Sequence, residues 1–113
     1  MLILNEPITR DTLKNYAANT FGDMIKCVAD VDRGIIAIDA DLHADLEHLL
    51  LDNGSQQAAL WGFNLYPDET EEDFIEFDSL INIRSWQGNP SREILDEGIR
   101  KKITSIVNNY IME

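Results

Sequence analysis

"DMIKCVADVDRGIIAID", residues 23–39, contains two β-rich runs separated by Asp32-Arg33-Gly34. Apolar and β-branched side chains fill both runs, and Gly34 supplies the positive φ that a tight reversal requires. The stretch predicts an antiparallel hairpin, and such a hairpin needs none of the long crossovers of a parallel sheet. Upstream, "MLILN" is a short strand ended by Pro7. It is followed by a helix capped by Thr9, with Leu13, Tyr16, Ala17 and Thr20 at helical spacing and Gly22 past its end. Downstream, "LHADLEHLLLDNG" (42–54) is a second helix, closed by Asn53-Gly54. "LWGFNLY" (60–66) and "DFIEFDSLINIRSW" (73–86) are two further strands joined by the acidic loop "PDETEE". The last helix is "DEGIRKKITSIVNNYIM" (96–112), capped by Asp96, with Ile99, Ile103, Ile106, Val107, Tyr110 and Ile111 in one stripe. The order β-α-ββ-α-ββ-α argues a single α+β domain over residues 1–113. The expected architecture is a mainly antiparallel sheet of four to five strands with about three helices on one face.

The chain has 113 residues, 44% of them hydrophobic, which is enough for a modest core without disulfide or metal staples. Its one cysteine, Cys27, lies in the first run of the hairpin and reads as a small buried hydrophobe. A lone cysteine has no internal disulfide partner, which fits a reducing cytoplasm. No apolar run approaches the ~20 residues of a membrane span, and "MLILNEPITR" lacks the pattern of a secretion signal, so it reads as mature sequence.

The net charge of −12 is uneven. Residues 31–80 carry thirteen acids against one base, Arg33, while residues 81–113 carry five bases and four acids. Such a surface repels phosphate backbones and anionic membranes, so neither nucleic acid nor a membrane is an expected partner. It favours solubility and a basic or cationic partner.

Strand parity sorts the candidate site residues. In the strand 73–86, Ile75, Phe77, Ile81 and Ile83 share the expected core face. If that strand pairs with "LWGFNLY", then Asn64, Asp78, Asn82 and Arg84 lie together on the other face, where Gly62 leaves a gap. That face reads as a ligand platform, a dimer centre or an ordinary half-solvated sheet surface. Next comes "INIRSWQGNPSRE", free of acids from Ile81 to Arg92 and containing Arg84 and Arg92. With Trp86 as an aromatic surface and Asn89 and Ser91 in the turn, it can hold a small anion, a carboxylate or phosphate. Equally, its arginines can pair with acids of residues 31–80, within the chain or across a dimer. Neither G-x-G-x-x-G nor G-x-x-x-x-G-K-[ST] occurs, and no cofactor is expected.

"DADLHADLEH" (39–48) holds both histidines. His43 and His48 stand five apart, about 140° around a helix, so they cannot share one metal ion. A calcium-loop reading fails because Ala44 and Leu50 occupy the positions of the required Gly and Glu. No metal site is expected, although Asp39, Asp41, Asp45 and Glu47 invite a weak divalent-cation test. Leu42, Leu46, Leu49 and Leu50 form the expected buried stripe, and His48 faces solvent near Asp45 and Asp52. Asp39 and Asp41 are read as N-cap and first-turn acids. His43 and Glu47, at i and i+4, are the one pair here suited to acid–base work.

The stretches "EPIT", "FGDMIK", "LHADLE", "NGS", "LWGFNLYP", "FDSLINIR" and "QGNPSR", in this order and spacing from Glu6 to Arg92, resemble a family of short uncharacterised bacterial and archaeal proteins, a domain of unknown function. The resemblance implies a stand-alone small protein and brings no activity, cofactor or catalytic residue.

Two functional expectations follow. The first is a small acidic cytoplasmic module, homodimeric, that binds a protein partner or small ligand through Asn64, Asn82, Arg84, Trp86, Asn89, Ser91 and Arg92. The alternative is a small enzyme using His43–Glu47, with Asn82 and Arg84 orienting an anion.

Overall fold

The hairpin forms as its sequence predicts. In the computed structural model, which describes residues 1–113, β3 (Ile25–Asp30) pairs antiparallel with β4 (Ile35–Ile38), Asp30 standing opposite Ile35. Asp30 makes the turn: its Oδ1 accepts from the amides of Asp32 and Arg33, each at 2.9 Å, and its carbonyl accepts from Gly34. Gly34 closes the reversal at φ +69°, a conformation that glycine adopts without steric cost.

Around the hairpin the sheet has the order β1-β4-β3-β5-β6, every pair antiparallel, with β1 at Leu2–Ile3, β5 at Leu60–Leu65 and β6 at Ile75–Glu76. A separate parallel pair joins β2 (Ile8–Thr9) to β7 (Ile111–Met112). The helices are α1 (Arg10–Ala18), α2 (His43–Asp52), the single turn α3 (Glu71–Phe74) and α4 (Glu97–Tyr110). None is long and apolar enough to cross a membrane. Thr9 and Asp96 cap α1 and α4 as expected, accepting from Thr12 N at 3.2 Å and Ile99 N at 3.1 Å. At α2 the expectation fails. The N-cap is Leu42, with no side-chain bond, while Asp39 sits at φ +73° with one oxygen 3.5 Å from the N-terminal ammonium.

The α+β class and antiparallel sheet are as the sequence implies, but the helices divide between the two faces. Cys27, Ala29, Ile36, Ile38, Trp61 and Phe63 pack with Leu13 and Ala17 of α1 and with Ile103, Ile106 and Val107 of α4. Residues of the opposite parity, Val28, Ala37 and Leu60, pack with Leu46 and Leu50 of α2. Both faces of β3–β5 are apolar, so both must be covered; all six residues of β5 are buried.

The stretch 73–86 departs most from its reading. Only Ile75–Glu76 extends the sheet, opposite Leu65 and Asn64. After Asp78 the chain leaves the ladder and makes two 3₁₀ turns, Leu80–Asn82 and Ser85–Gln87. Alternation there predicted Ile83 inside and Asn82 and Arg84 outside. Instead Ile83 is 43% exposed while Asn82 and Arg84 are fully buried. The reason is chemical. With β6 ended, the outer edge of β5 from Leu60 to Gly62, the side away from β3, faces no strand, and buried N–H and C=O groups need partners. The Asn82 carboxamide duplicates a peptide group: Oδ1 accepts from Gly62 N at 2.8 Å and Nδ2 donates to Gly62 O at 2.9 Å and Arg92 O at 3.0 Å. Arg84 completes the seal, donating to the carbonyls of Leu60, Gln57 and Ile81. Gly62 allows the close approach, because a Cβ there would lie 2.7 Å from Ser79 Cβ.

Replacing Asn82 by Ala strands the N–H and C=O of Gly62, while Arg92 O keeps its bond from Ser79 N, and is expected to cost about 2–4 kcal/mol of stability, read by urea denaturation. Asn82→Asp keeps the acceptor for Gly62 N but sets a carboxylate oxygen against two carbonyls. It should therefore destabilise at least as much; an N82D variant of wild-type stability would refute the peptide-mimic role.

Candidate functional site

On the α2 side of the sheet, strand register sets Lys26, Asn64 and Glu76 in one cross-strand row. The first turn of α2 lies over this row. Opposite it, the chain that has just left β6 forms a wall at Asp78–Ile81. Between them is a cleft of ≈ 480 Å³ with His43 and Asn64 among its lining side chains and Leu42 and Leu80 exposed around it.

His43 is 8% exposed, and its Nε2 is 2.9 Å from the Phe63 carbonyl. A carbonyl only accepts, so this contact places a proton on Nε2 and leaves Nδ1 of the neutral ring as an acceptor. Burial lowers the His43 pKa and Lys26 adds to the effect. Against them, the Phe63 carbonyl, the Asn64 carboxamide and Asp78 favour the charged ring.

Asn64 is 5% exposed. Its Nδ2 donates to Glu76 Oε1 at 2.9 Å and to the Asp78 carbonyl at 3.2 Å, which fixes the orientation of the amide. Its Oδ1 is buried and makes no hydrogen bond, although it faces the His43 ring, which would donate to it only when protonated. Glu76 Oε1 also accepts from Tyr66 OH at 3.0 Å. The Tyr66 phenol is pushed up to about 12, by burial and then by the Glu76 carboxylate it donates to. Asp78 is engaged by Arg92 through two bonds, Nε–Oδ1 at 2.9 Å and Nη2–Oδ2 at 3.2 Å.

The residues singled out in the sequence therefore scatter. His43, Asn64 and Arg92 come together at the cleft. Glu47, the expected partner of His43, turns instead to Arg84, 3.6 Å from its Nη2. Asn82, Arg84 and Asn89 are structural in their bonding. Asn89 donates to the carbonyls of Asn82, Ser91 and Glu93 and accepts from Leu95 N, holding the irregular segment closed. Ser91 Oγ accepts from Glu93 N at 3.1 Å. Trp86 is 76% exposed and lies outside the cleft. The locally positive window offers no free arginine, since Arg84 is buried and Arg92 is paired with Asp78. The buried stripe of α2 is also shifted: Leu46 and Leu50 are buried, Leu42 is 56% exposed, and His43 takes the inward position. Lys26 and Glu76 were missed, although the row Lys26–Asn64–Glu76 follows once three adjacent strands are placed in register.

The chemistry of His43 has a measurable consequence. Folding lowers its pKa from 6.5, so the unfolded chain binds that proton first. Stability is unaffected by this group above pH 6.5 and falls as the pH drops below it, towards the folded value. An NMR titration should show the His43 Cε1 proton moving below pH 6.5, and His43→Gln should remove this part of the acid destabilisation.

No curated protein and no solved structure matches the chain. The model of one family, described as protein of unknown function (DUF5674), matches residues 2–110, nearly the whole length. The chain thus belongs to the DUF5674 family of proteins of unknown function.

Proposed function

We propose that this protein is a small-ligand-binding module and that the cleft over Asn64 is its site. The observation that carries the reading is the Asn64 carboxamide oxygen, buried and without a donor. Leaving such an acceptor unpaired costs roughly 1–3 kcal/mol, and native structures rarely keep one without a use. A ligand N–H or O–H seated in the cleft would satisfy it. The volume lies within the usual range for small-molecule sites. An acid–base enzyme built on His43–Glu47 has less support, because Glu47 is committed to Arg84 and every nitrogen of Arg84 donates to the fold. A cytoplasmic setting is supported by the single buried cysteine.

A fragment screen by amide NMR tests the site. Hits should shift His43, Asn64 and Ser79 together, and Ala44→Trp, which fills the mouth from the exposed start of α2, should abolish those shifts. A screen without hits in the cleft, or hits indifferent to A44W, would end the reading.

Self-association is a second reading with its own observation. Leu80, Ile83, Trp86 and Leu95, half of the eight exposed large hydrophobic side chains, fall in one segment. An apolar contact between two copies, each of net charge −12, is opposed by repulsion that salt screens. Homodimerisation through this segment should therefore strengthen with added salt, and Trp86→Asp should disrupt it. Light scattering that shows a monomer at every salt concentration would rule the dimer out.

A further inference from the structure

Granted that the cleft is a ligand site, we infer that it takes a cation with N–H donors, an ammonium or amidinium on a small apolar body. The hydrogen-bonding groups around the cleft divide unevenly into those already engaged and those left free. Arg92 has closed on Asp78 with two bonds, and both bonds of Asn64 Nδ2 run to Glu76 and to the Asp78 backbone. Three acceptors remain, Asn64 Oδ1, His43 Nδ1 and Glu76 Oε2, against the free donors of the Lys26 ammonium, the Ser79 hydroxyl and the outer N–H groups of Arg92. The first acceptor is buried and unpaired. The second is left as a lone pair by the Nε2–Phe63 contact. The third belongs to a carboxylate whose other oxygen is held by Asn64 and Tyr66, which restrains its position. Three acceptors, one of them charged, suit a donor-rich cation better than an anion, which would face lone pairs.

Lys26 is the opposing charge in the lining. Its ammonium forms no ion pair, lies 5.2 Å from the Phe21 ring centre in a weak cation–π position, and opposes a bound cation, as its effect on His43 shows. The net charge of −12 adds a general attraction for cations and repulsion of anions. Leu42 and Leu80, exposed beside the polar floor, supply apolar surface for the ligand's body.

The test is a titration of the whole chain with benzamidine and benzoate, two probes of the same shape and opposite charge, followed by amide NMR. Benzamidine is expected to shift His43, Asn64, Glu76 and the Asn64 side-chain amide, with benzoate leaving them in place. Glu76→Gln should weaken benzamidine about tenfold, the usual scale for one charge-assisted bond. Lys26→Met should tighten it. Glu72→Gln, which removes an equal charge from an exposed site outside this cleft, should leave the affinity nearly unchanged. Benzoate binding in the cleft as well as benzamidine would overturn the cation assignment while leaving the ligand-site reading intact. So would equal losses in E76Q and E72Q, which would mean general charge attraction. If neither probe enters a cleft that does bind neutral fragments, the cation assignment again fails alone. If nothing enters it, both readings fail.

Discussion

The structure depends on how the outer edge of β5 is closed. Strand β5 is buried along its whole length, yet β6 covers only its last two residues. The remaining backbone, from Leu60 to Gly62, would expose unpaired peptide groups in an apolar setting, which no amount of hydrophobic packing relieves. Two side chains stand in for the missing strand. Asn82 presents both halves of an amide to Gly62, and Arg84 spreads its guanidinium across the carbonyls of Leu60, Gln57 and Ile81. Side chains complete an edge that a continued strand would have completed with its own backbone. The chain itself is then free to leave the sheet after Asp78.

That departure makes the cleft. Had β6 continued, Phe77 and the residues after it would have run in the plane of the sheet beside Phe63 and Gly62, with no wall across from α2. Because the chain swings out through Ser79–Ile81 and returns with Asn82, a wall stands across from α2 and the floor between them is left open. The unpaired oxygen of Asn64 and the half-engaged carboxylate of Glu76 stand together on the last rungs of the ladder, beside the point where the chain departs.

Much of the fold was legible because it rests on local chemistry. Asp30 and Gly34 write the hairpin turn, and Thr9 and Asp96 write two helix starts, through bonds reaching no further than four residues. The stretch from Ile75 to Arg84 was misread because alternation is ambiguous about direction. I-E-F-D-S-L-I-N-I-R reads as a strand with its isoleucines inward, and hydrophobicity alone supports that reading. Only the unpaired edge of β5, a property of the assembled sheet, makes Asn82 and Arg84 the inward residues. The cleft was half legible. His43 and Asn64 stood out as residues, but their meeting depends on α2 crossing to the face opposite α1 and α4. Nothing in the amphipathic pattern of α2 says which side of a two-sided sheet it will cover.

The same bonds that seal the edge also tie the walls of the cleft together. Glu47 lies on α2, and its carboxylate meets Arg84 at 3.6 Å, with the Trp61 ring 4.7 Å from the guanidinium carbon. Burial lowers the Arg84 pKa and Glu47 opposes that shift, so the carboxylate offsets part of the desolvation of the guanidinium. Arg84 thus couples three elements: β5 by the Leu60 carbonyl, α2 by Glu47, and the turn at Leu80–Asn82 by the Ile81 carbonyl. Removing one partner of such a buried pair strands the other charge, at a typical cost of 3–5 kcal/mol, so the helix cannot drift far from the irregular segment. A cleft whose floor is a β-strand and whose walls are pinned by one buried arginine is held in shape by the fold itself, and if it is the proposed site, preorganisation of this kind lowers the entropic cost of binding.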